Sequence, residues 1–77
     1  MNIRVRIGGL LTKPSGRSEL ELDLPEGATV RDLLSAVGYT DEHIPRIMAT
    51  VAGSIRKQQY VLADRDEVRL SILVGGG

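Results

Sequence analysis

The chain has 77 residues, no cysteine, and 10 basic residues balanced by 10 acidic ones, so it can form one small domain without disulfides or thiolate metal sites. Phenylalanine and tryptophan are absent and the net charge is zero, which argues against the stacking platform and cationic surface that bind nucleic acids. The sequence has no apolar run of membrane-spanning length and no secretion signal, so we expect a soluble cytoplasmic protein that is monomeric when free.

The first two predicted elements are strands that form a β-hairpin. Residues 2–7 alternate between aliphatic side chains and arginines, and residues 18–24 alternate between leucines and polar or acidic residues. This period of two is typical of strands with one buried and one solvated face. Glycines and a proline interrupt the pattern between the two runs and predict the connecting loop. The basic outer side of the first strand faces the acidic outer side of the second, which favours this register.

The main helix is predicted at residues 29–38, because the sequence has capping residues at both of its ends. Thr29 can cap the first turn, Asp32 stands where a capping box places an acid, and Gly38 suits the left-handed residue that follows a helix. The aliphatic residues between these ends fall at i, i+3, i+4 and i+7: Val30, Leu33, Leu34 and Val37. Such an apolar stripe predicts a helix that lies across the hydrophobic face of a sheet.

The segment after the helix predicts an irregular connection and two more strands. Residues 39–45 are polar and include His43, which we expect at the surface, since the chain offers no second nitrogen ligand for a metal. Residues 47–51 alternate as a strand, and a tight turn leads into a short strand at residues 54–56. Val61 and Leu62 are both expected to close one end of the core.

The last predicted strand, residues 67–72, runs almost directly into three glycines. Its residues Val68, Leu70 and Ile72 alternate with polar ones and are expected to face the core. Glycines have no side chain to hold in a core, so we expect residues 75–77 to form a flexible tail whose reactive group is the terminal carboxylate.

The order of these elements predicts an α+β domain over residues 1–74. A mixed sheet of four to five strands packed on one main helix is the simplest two-layer arrangement for this order. If the first and last strands are parallel neighbours, the crossover between them carries the helix. That arrangement is the β-grasp, or ubiquitin-like, fold.

Four stretches of the chain together resemble the MoaD/ThiS family of ubiquitin-like sulfur carriers. They are the run of residues 24–34, the turn at 51–53, the approach to the last strand at 61–68, and the end Val74-Gly75-Gly76-Gly77. The chain departs from the family at three places. The family often has Asn where this chain has Ala52, Asp-Gly where Arg65 stands, and more aromatic character near Leu73.

The resemblance implies a carrier that is a substrate and not a catalyst. A partner activating enzyme would use ATP to adenylate the carboxylate of Gly77, and a sulfur donor would then displace AMP and leave a thiocarboxylate. A downstream synthase would accept this sulfur in thiamine, molybdopterin or other metabolite biosynthesis. Gly75 and Gly76 would thread into the partner, and no cofactor would be bound stably. The partner-binding surface would comprise Met48, Thr50, Arg69, Ser71, Leu73 and Val74.

Two other functions remain open at this point. The chain could be a ubiquitin-like modifier joined through Gly77 to lysines of other proteins, or a β-grasp interaction module or non-catalytic enzyme subunit. Neither a catalytic constellation nor a metal-ligand cluster is visible in the sequence, so we expect no enzymatic activity of its own.

Overall fold

The structure is a computed structural model that describes residues 1–72. These residues form one α-helix, one short 3₁₀ helix and one sheet of five strands. In chain order they are β1 (Asn2–Ile7), β2 (Glu19–Asp23), α1 (Val30–Val37), the 3₁₀ helix (Ile44–Arg46), β3 (Ile47–Val51), β4 (Ser54–Arg56) and β5 (Glu67–Ile72). The last two residues of the predicted domain, Leu73 and Val74, and the predicted tail of residues 75–77 lie outside the described residues.

The sheet is mixed, with the strand order β2-β1-β5-β3-β4. The neighbours β1 and β5 are parallel, with β5 at the centre of the sheet, and every other neighbouring pair is antiparallel. Parallel neighbours require a crossover connection, and here that connection carries α1. This topology is the β-grasp fold predicted from the sequence.

The core lies between α1 and one face of the sheet. The four predicted helix residues Val30, Leu33, Leu34 and Val37 are buried, as are the alternate residues of β1, β3 and β5. The capping box is present: the Asp32 amide donates to Thr29 Oγ1 at 3.2 Å, and the Thr29 amide donates to Asp32 Oδ2 at 2.9 Å. The helix therefore begins and ends where the sequence predicts.

One core prediction is wrong. Val61 was expected to close the core together with Leu62, but its side chain is 56% exposed, whereas Leu62 is buried. Val61 pairs with Thr29 in a single antiparallel bridge, so its backbone is extended. Successive side chains of an extended chain point to opposite sides, and only one of these two can face the core.

The segment 39–45 is more ordered than predicted. Tyr39 and Ile44 are both buried, and Ile44 begins the 3₁₀ helix that leads into β3. The Gln58 side-chain amide donates to the Ile44 carbonyl at 2.6 Å. The segment thus packs against the core beyond the C-terminus of α1. Neither helical segment within residues 1–72 has the length and apolar content of a bilayer span.

Candidate functional site

Four of the predicted partner-binding residues lie together on the outer face of the sheet. Pairing of β3 with β5 places Met48 directly opposite Ser71 and Thr50 directly opposite Arg69. Residues opposite each other in an antiparallel pair project to the same face, and the alternation with buried neighbours shows that this face points away from α1. Arg69 is exposed and the other three side chains are partly buried. The structure therefore brings these four residues into one patch.

The neighbouring half of the outer face is occupied by internal ion pairs. Arg4 lies 3.3 Å from Glu21, and Arg6 lies 2.9 Å from Glu19, as the predicted charge pattern of the hairpin requires. Arg69 is the β5 neighbour of Arg6 but has no carboxylate within ion-pair distance among residues 1–72. Because the ion pairs are exposed, they contribute little to stability. Within residues 1–72, Arg69 therefore presents a positive charge without a direct ion-pair partner beside this mixed surface.

A further residue belongs to this patch and was not among the predicted ones. Ile55 on β4 lies directly opposite Thr50 and is 67% exposed. The position of Ile55 could have been predicted from the sequence. The two-residue turn between Val51 and Ser54 fixes the register of the hairpin, so Ile55 has to lie on the same face as Thr50.

The end of β5 lies beside a small cavity on the core side of the sheet. Ile72 pairs with Ile47 and so faces the core as predicted, but its side chain is 37% exposed. The cavity measures about 210 Å³ and opens between Ile72 and the β1–β2 loop, where Leu10 is 83% exposed. The sequence predicted the direction of Ile72 correctly but not the open end of the core.

The β1–β2 loop is fixed to the C-terminal end of α1. The Tyr39 hydroxyl donates to the Thr12 carbonyl at 2.6 Å, and Leu11 is buried. Burial raises the pKa of Tyr39 above its ordinary value of 10.0, so the hydroxyl keeps its proton, and stays a donor, to a higher pH than an exposed tyrosine would. Gly38 has φ 117°, and a Cβ atom at this position would lie 2.9 Å from Pro14 Cβ. The loop packs directly on the glycine that ends the helix.

The remaining predicted site residues cannot be placed. Leu73, Val74, Gly75, Gly76 and Gly77 lie outside the described residues, so the structure locates only the strand from which they continue. Within residues 1–72 no group of three or more histidine, cysteine or acidic side chains is arranged to hold a metal ion. His43 is exposed, with its Nδ1 atom 3.3 Å from the Thr40 hydroxyl.

Comparison with known sequences connects almost the whole chain to one family. The sequence profile of the ThiS family matches residues 6–77. Comparison with curated protein sequences finds no match.

Comparison with solved structures finds proteins of the same fold. The chain is similar to SAMP1 from Haloferax volcanii, with a TM-score of 0.74 and 21% identity over 100% of both chains. It is also similar to a Pyrococcus furiosus protein proposed as molybdopterin converting factor subunit 1, with a TM-score of 0.76 and 25% identity over 95% of this chain and 98% of that chain. Urm1 from Trypanosoma brucei has a TM-score of 0.66 and 22% identity, over 99% of this chain and 95% of its own.

Proposed function

Because the chain belongs to the ThiS family, we propose that it is a sulfur carrier whose Gly77 carboxylate is adenylated by a partner enzyme and converted to a thiocarboxylate. The observation that carries this proposal is the family match, which extends through β5 to residue 77 and so includes the glycines. The proposal requires a mature chain that ends at Gly77, either as synthesised or after processing.

The proposed chemistry explains why the carrier needs a partner. A carboxylate at neutral pH is a poor electrophile. Its oxygen therefore attacks the α-phosphorus of ATP, which releases pyrophosphate and leaves Gly77 joined to AMP as a mixed anhydride. A hydrosulfide equivalent from a sulfur donor then attacks the acyl carbon, expels AMP, loses its proton and remains as the thiocarboxylate. ATP binds to the partner enzyme, so the carrier itself needs no stable cofactor.

The glycines suit passage into an enclosed site. A side chain at Gly75 or Gly76 would widen the segment and restrict its backbone angles. Residues 73–77 could span at most about 17 Å when extended, which is enough to carry the carboxylate from the sheet into a partner. We assign Leu73 and Val74 to the mouth of that passage and the patch of Met48, Thr50, Arg69 and Ser71 to docking.

We propose three partner proteins, all in the cytoplasm. They are the adenylating enzyme, the sulfur donor and a downstream synthase that accepts the sulfur. Small carriers of this family are typically not catalysts, and the buried side chains of residues 1–72 are aliphatic apart from Tyr39. We therefore assign the chemistry to the partners. The sulfur would be delivered to the biosynthesis of thiamine, molybdopterin or another metabolite.

A second candidate function is protein modification. It is favoured by the fold likeness to SAMP1, which is described as a small archaeal modifier protein. A modifier would be joined through Gly77 to lysines of other proteins. Chains of the modifier itself could form only at Lys13 or Lys57; Lys57 is exposed, whereas the Lys13 ammonium lies 3.5 Å from the Leu11 carbonyl. Isopeptide-linked products in the mass spectra of cell extracts would identify this function.

Deletion of Gly76 and Gly77 tests the carrier function. The full chain and the shortened chain are each incubated with the adenylating enzyme from the same genome, ATP and sulfide. Intact-mass analysis should show one oxygen replaced by sulfur in the full chain only. Both chains should have the same circular dichroism spectrum and unfold at the same temperature, because the core residues lie within residues 3–70.

Equal sulfur incorporation by the shortened chain would refute the role of the tail. If instead the shortened chain retains the cellular function of the full one, the chain is an interaction module or enzyme subunit with an incidental tail.

A further inference from the structure

The cavity beside Ile72, which we call the β5-end cavity, is an end of the hydrophobic core that residues 1–72 leave unfilled. Its apolar wall comprises Leu10, Tyr39, Ile47 and Ile72, with Arg46 and His43 at its polar rim. Ile72 faces the core side of the sheet yet remains 37% exposed, because no residue of the described chain covers it fully. A volume of about 210 Å³ admits one side chain of a second molecule.

The β5-end cavity is held open by contacts that do not depend on a ligand. The hydrogen bond of 2.6 Å from Tyr39 to Thr12 and the burial of Leu11 fix the loop that forms one wall. Leu10, directly before Leu11 in this loop, is 83% exposed. Covering this large aliphatic side chain on binding would remove its apolar surface from water and so favour association.

Arg46 places a positive charge at the rim of the cavity. Arg46 is exposed and has no carboxylate within 4.0 Å among residues 1–72, and His43 lies beside it. A matching surface would carry an apolar side chain with a carboxylate next to it.

The position of the cavity favours a partner that holds the carboxylate of Gly77. Residues 73–77 continue from Ile72 and span at most about 17 Å when extended. A protein that holds Gly77 in a reaction site must therefore come within this distance of Ile72, and the surface around its site covers the end of β5. The patch with Met48 and Ser71 lies on the outer side of this strand end, and the β5-end cavity lies on its core side.

We propose that the β5-end cavity receives an apolar side chain of the adenylating enzyme, with a neighbouring carboxylate of that enzyme facing Arg46. The enzyme thus holds the carrier from both sides of the strand that leads into the tail. This inference rests on the proposed function, and it adds Leu10 and Arg46 to the residues that determine recognition.

The test compares Leu10→Ser with Val61→Ser in the full chain. Both replace an exposed aliphatic residue, but Val61 lies at the N-terminal end of α1, opposite the cavity. Adenylation is followed by pyrophosphate release at varied carrier concentration. Leu10→Ser should raise KM by about ten- to a hundredfold, as expected for the loss of one buried leucine contact. The value of kcat should not change, since Leu10 does not touch the reacting carboxylate.

Two further variants test whether a raised KM comes from lost recognition or from a change in the carrier's own fold. Leu10→Met keeps the apolar contact and should have a KM close to that of the unmodified chain. Arg46→Glu should raise KM, and this effect should become smaller at high salt because screening weakens the contact between charged groups.

The outcomes distinguish this inference from the proposed function. If the unmodified chain is adenylated and Leu10→Ser has the same KM, the inference is wrong and the proposed function stands. If the unmodified chain is not adenylated, both are overturned. The inference is also wrong if Leu73→Ser shifts the methyl NMR signals of Leu10 in the free chain, because the cavity then holds the chain's own tail. The inference is likewise wrong if the free chain sediments as a dimer and Leu10→Ser dissociates that dimer.

Discussion

Two residues with side chains, Ala52 and Arg65, adopt left-handed backbone angles that usually favour glycine or asparagine. Their φ values are 52° and 68°. Ala52 is followed by Gly53 with φ 81°, and two successive positive φ angles are those required by a type I′ hairpin turn, in which Asn-Gly is the preferred pair. The resemblance to the MoaD/ThiS family implied Asn and Asp-Gly at these two places, and a left-handed φ at a residue with a side chain carries backbone strain.

Replacing these residues should stabilise the fold. We expect Ala52→Asn and Arg65→Gly each to raise the free energy of unfolding by about 0.5–1 kcal/mol, because both replacements relieve the strain of the left-handed angle. For Arg65→Gly this gain exceeds the added freedom of the unfolded chain. Urea unfolding monitored by circular dichroism measures the change.

The control for Arg65→Gly is Arg17→Gly, another exposed loop arginine, whose φ is not positive. This variant should be neutral or less stable, since glycine there only adds freedom to the unfolded chain. Equal stabilisation by both glycine variants would show that strain at Arg65 is not the cause.

At the scale of elements, the contact between the β1–β2 loop and the end of α1 makes the stability of the fold depend on pH. The pKa of Tyr39 is raised by burial, so the folded chain keeps this proton at a pH where the unfolded chain, near the ordinary value of 10.0, loses it. The contribution of Tyr39 is therefore fully present below pH 10 and is lost as the pH rises through the folded pKa.

Tyr39→Phe tests this contact. At pH 7 the variant should lose about 1 kcal/mol of unfolding free energy, because the Thr12 carbonyl loses its donor. Above pH 10 the unmodified chain should lose stability with rising pH more steeply than Tyr39→Phe. In Tyr60→Phe, where Tyr39 is the remaining tyrosine, absorbance titration should give a pKa above 10. A value at or below 10 would contradict the burial described here.

The sequence predicted those elements whose ends or periodicity depend on local chemistry. The helix could be placed from Thr29, Asp32 and Gly38 because capping is decided within a few residues. The 3₁₀ helix could not be predicted, since Ile44 is buried through tertiary packing and a hydrogen bond from the distant Gln58. Val61 was assigned wrongly because a short apolar pair does not show which member faces inward.

At the scale of the whole molecule, alternation along each strand predicted the two-layer fold and four residues of the candidate site. Met48, Thr50, Arg69 and Ser71 could be assigned to one face from period two alone. The β5-end cavity could not be predicted, because it depends on how the β1–β2 loop packs against Tyr39 and the 3₁₀ helix beside Ile72. Such an unfilled space follows from the assembled tertiary structure and has no local sequence pattern.

The central claim is that this domain presents the carboxylate of Gly77 for sulfur chemistry performed by other proteins. Its most direct test is the intact mass of the chain purified from its native cells through an N-terminal tag. We predict a species that ends at Gly77 and has one oxygen replaced by sulfur, and alkylation of the thiocarboxylate should shift its mass. A chain found only with residues beyond Gly77, or only with an unmodified carboxylate while the sulfur pathways are active, would contradict the claim.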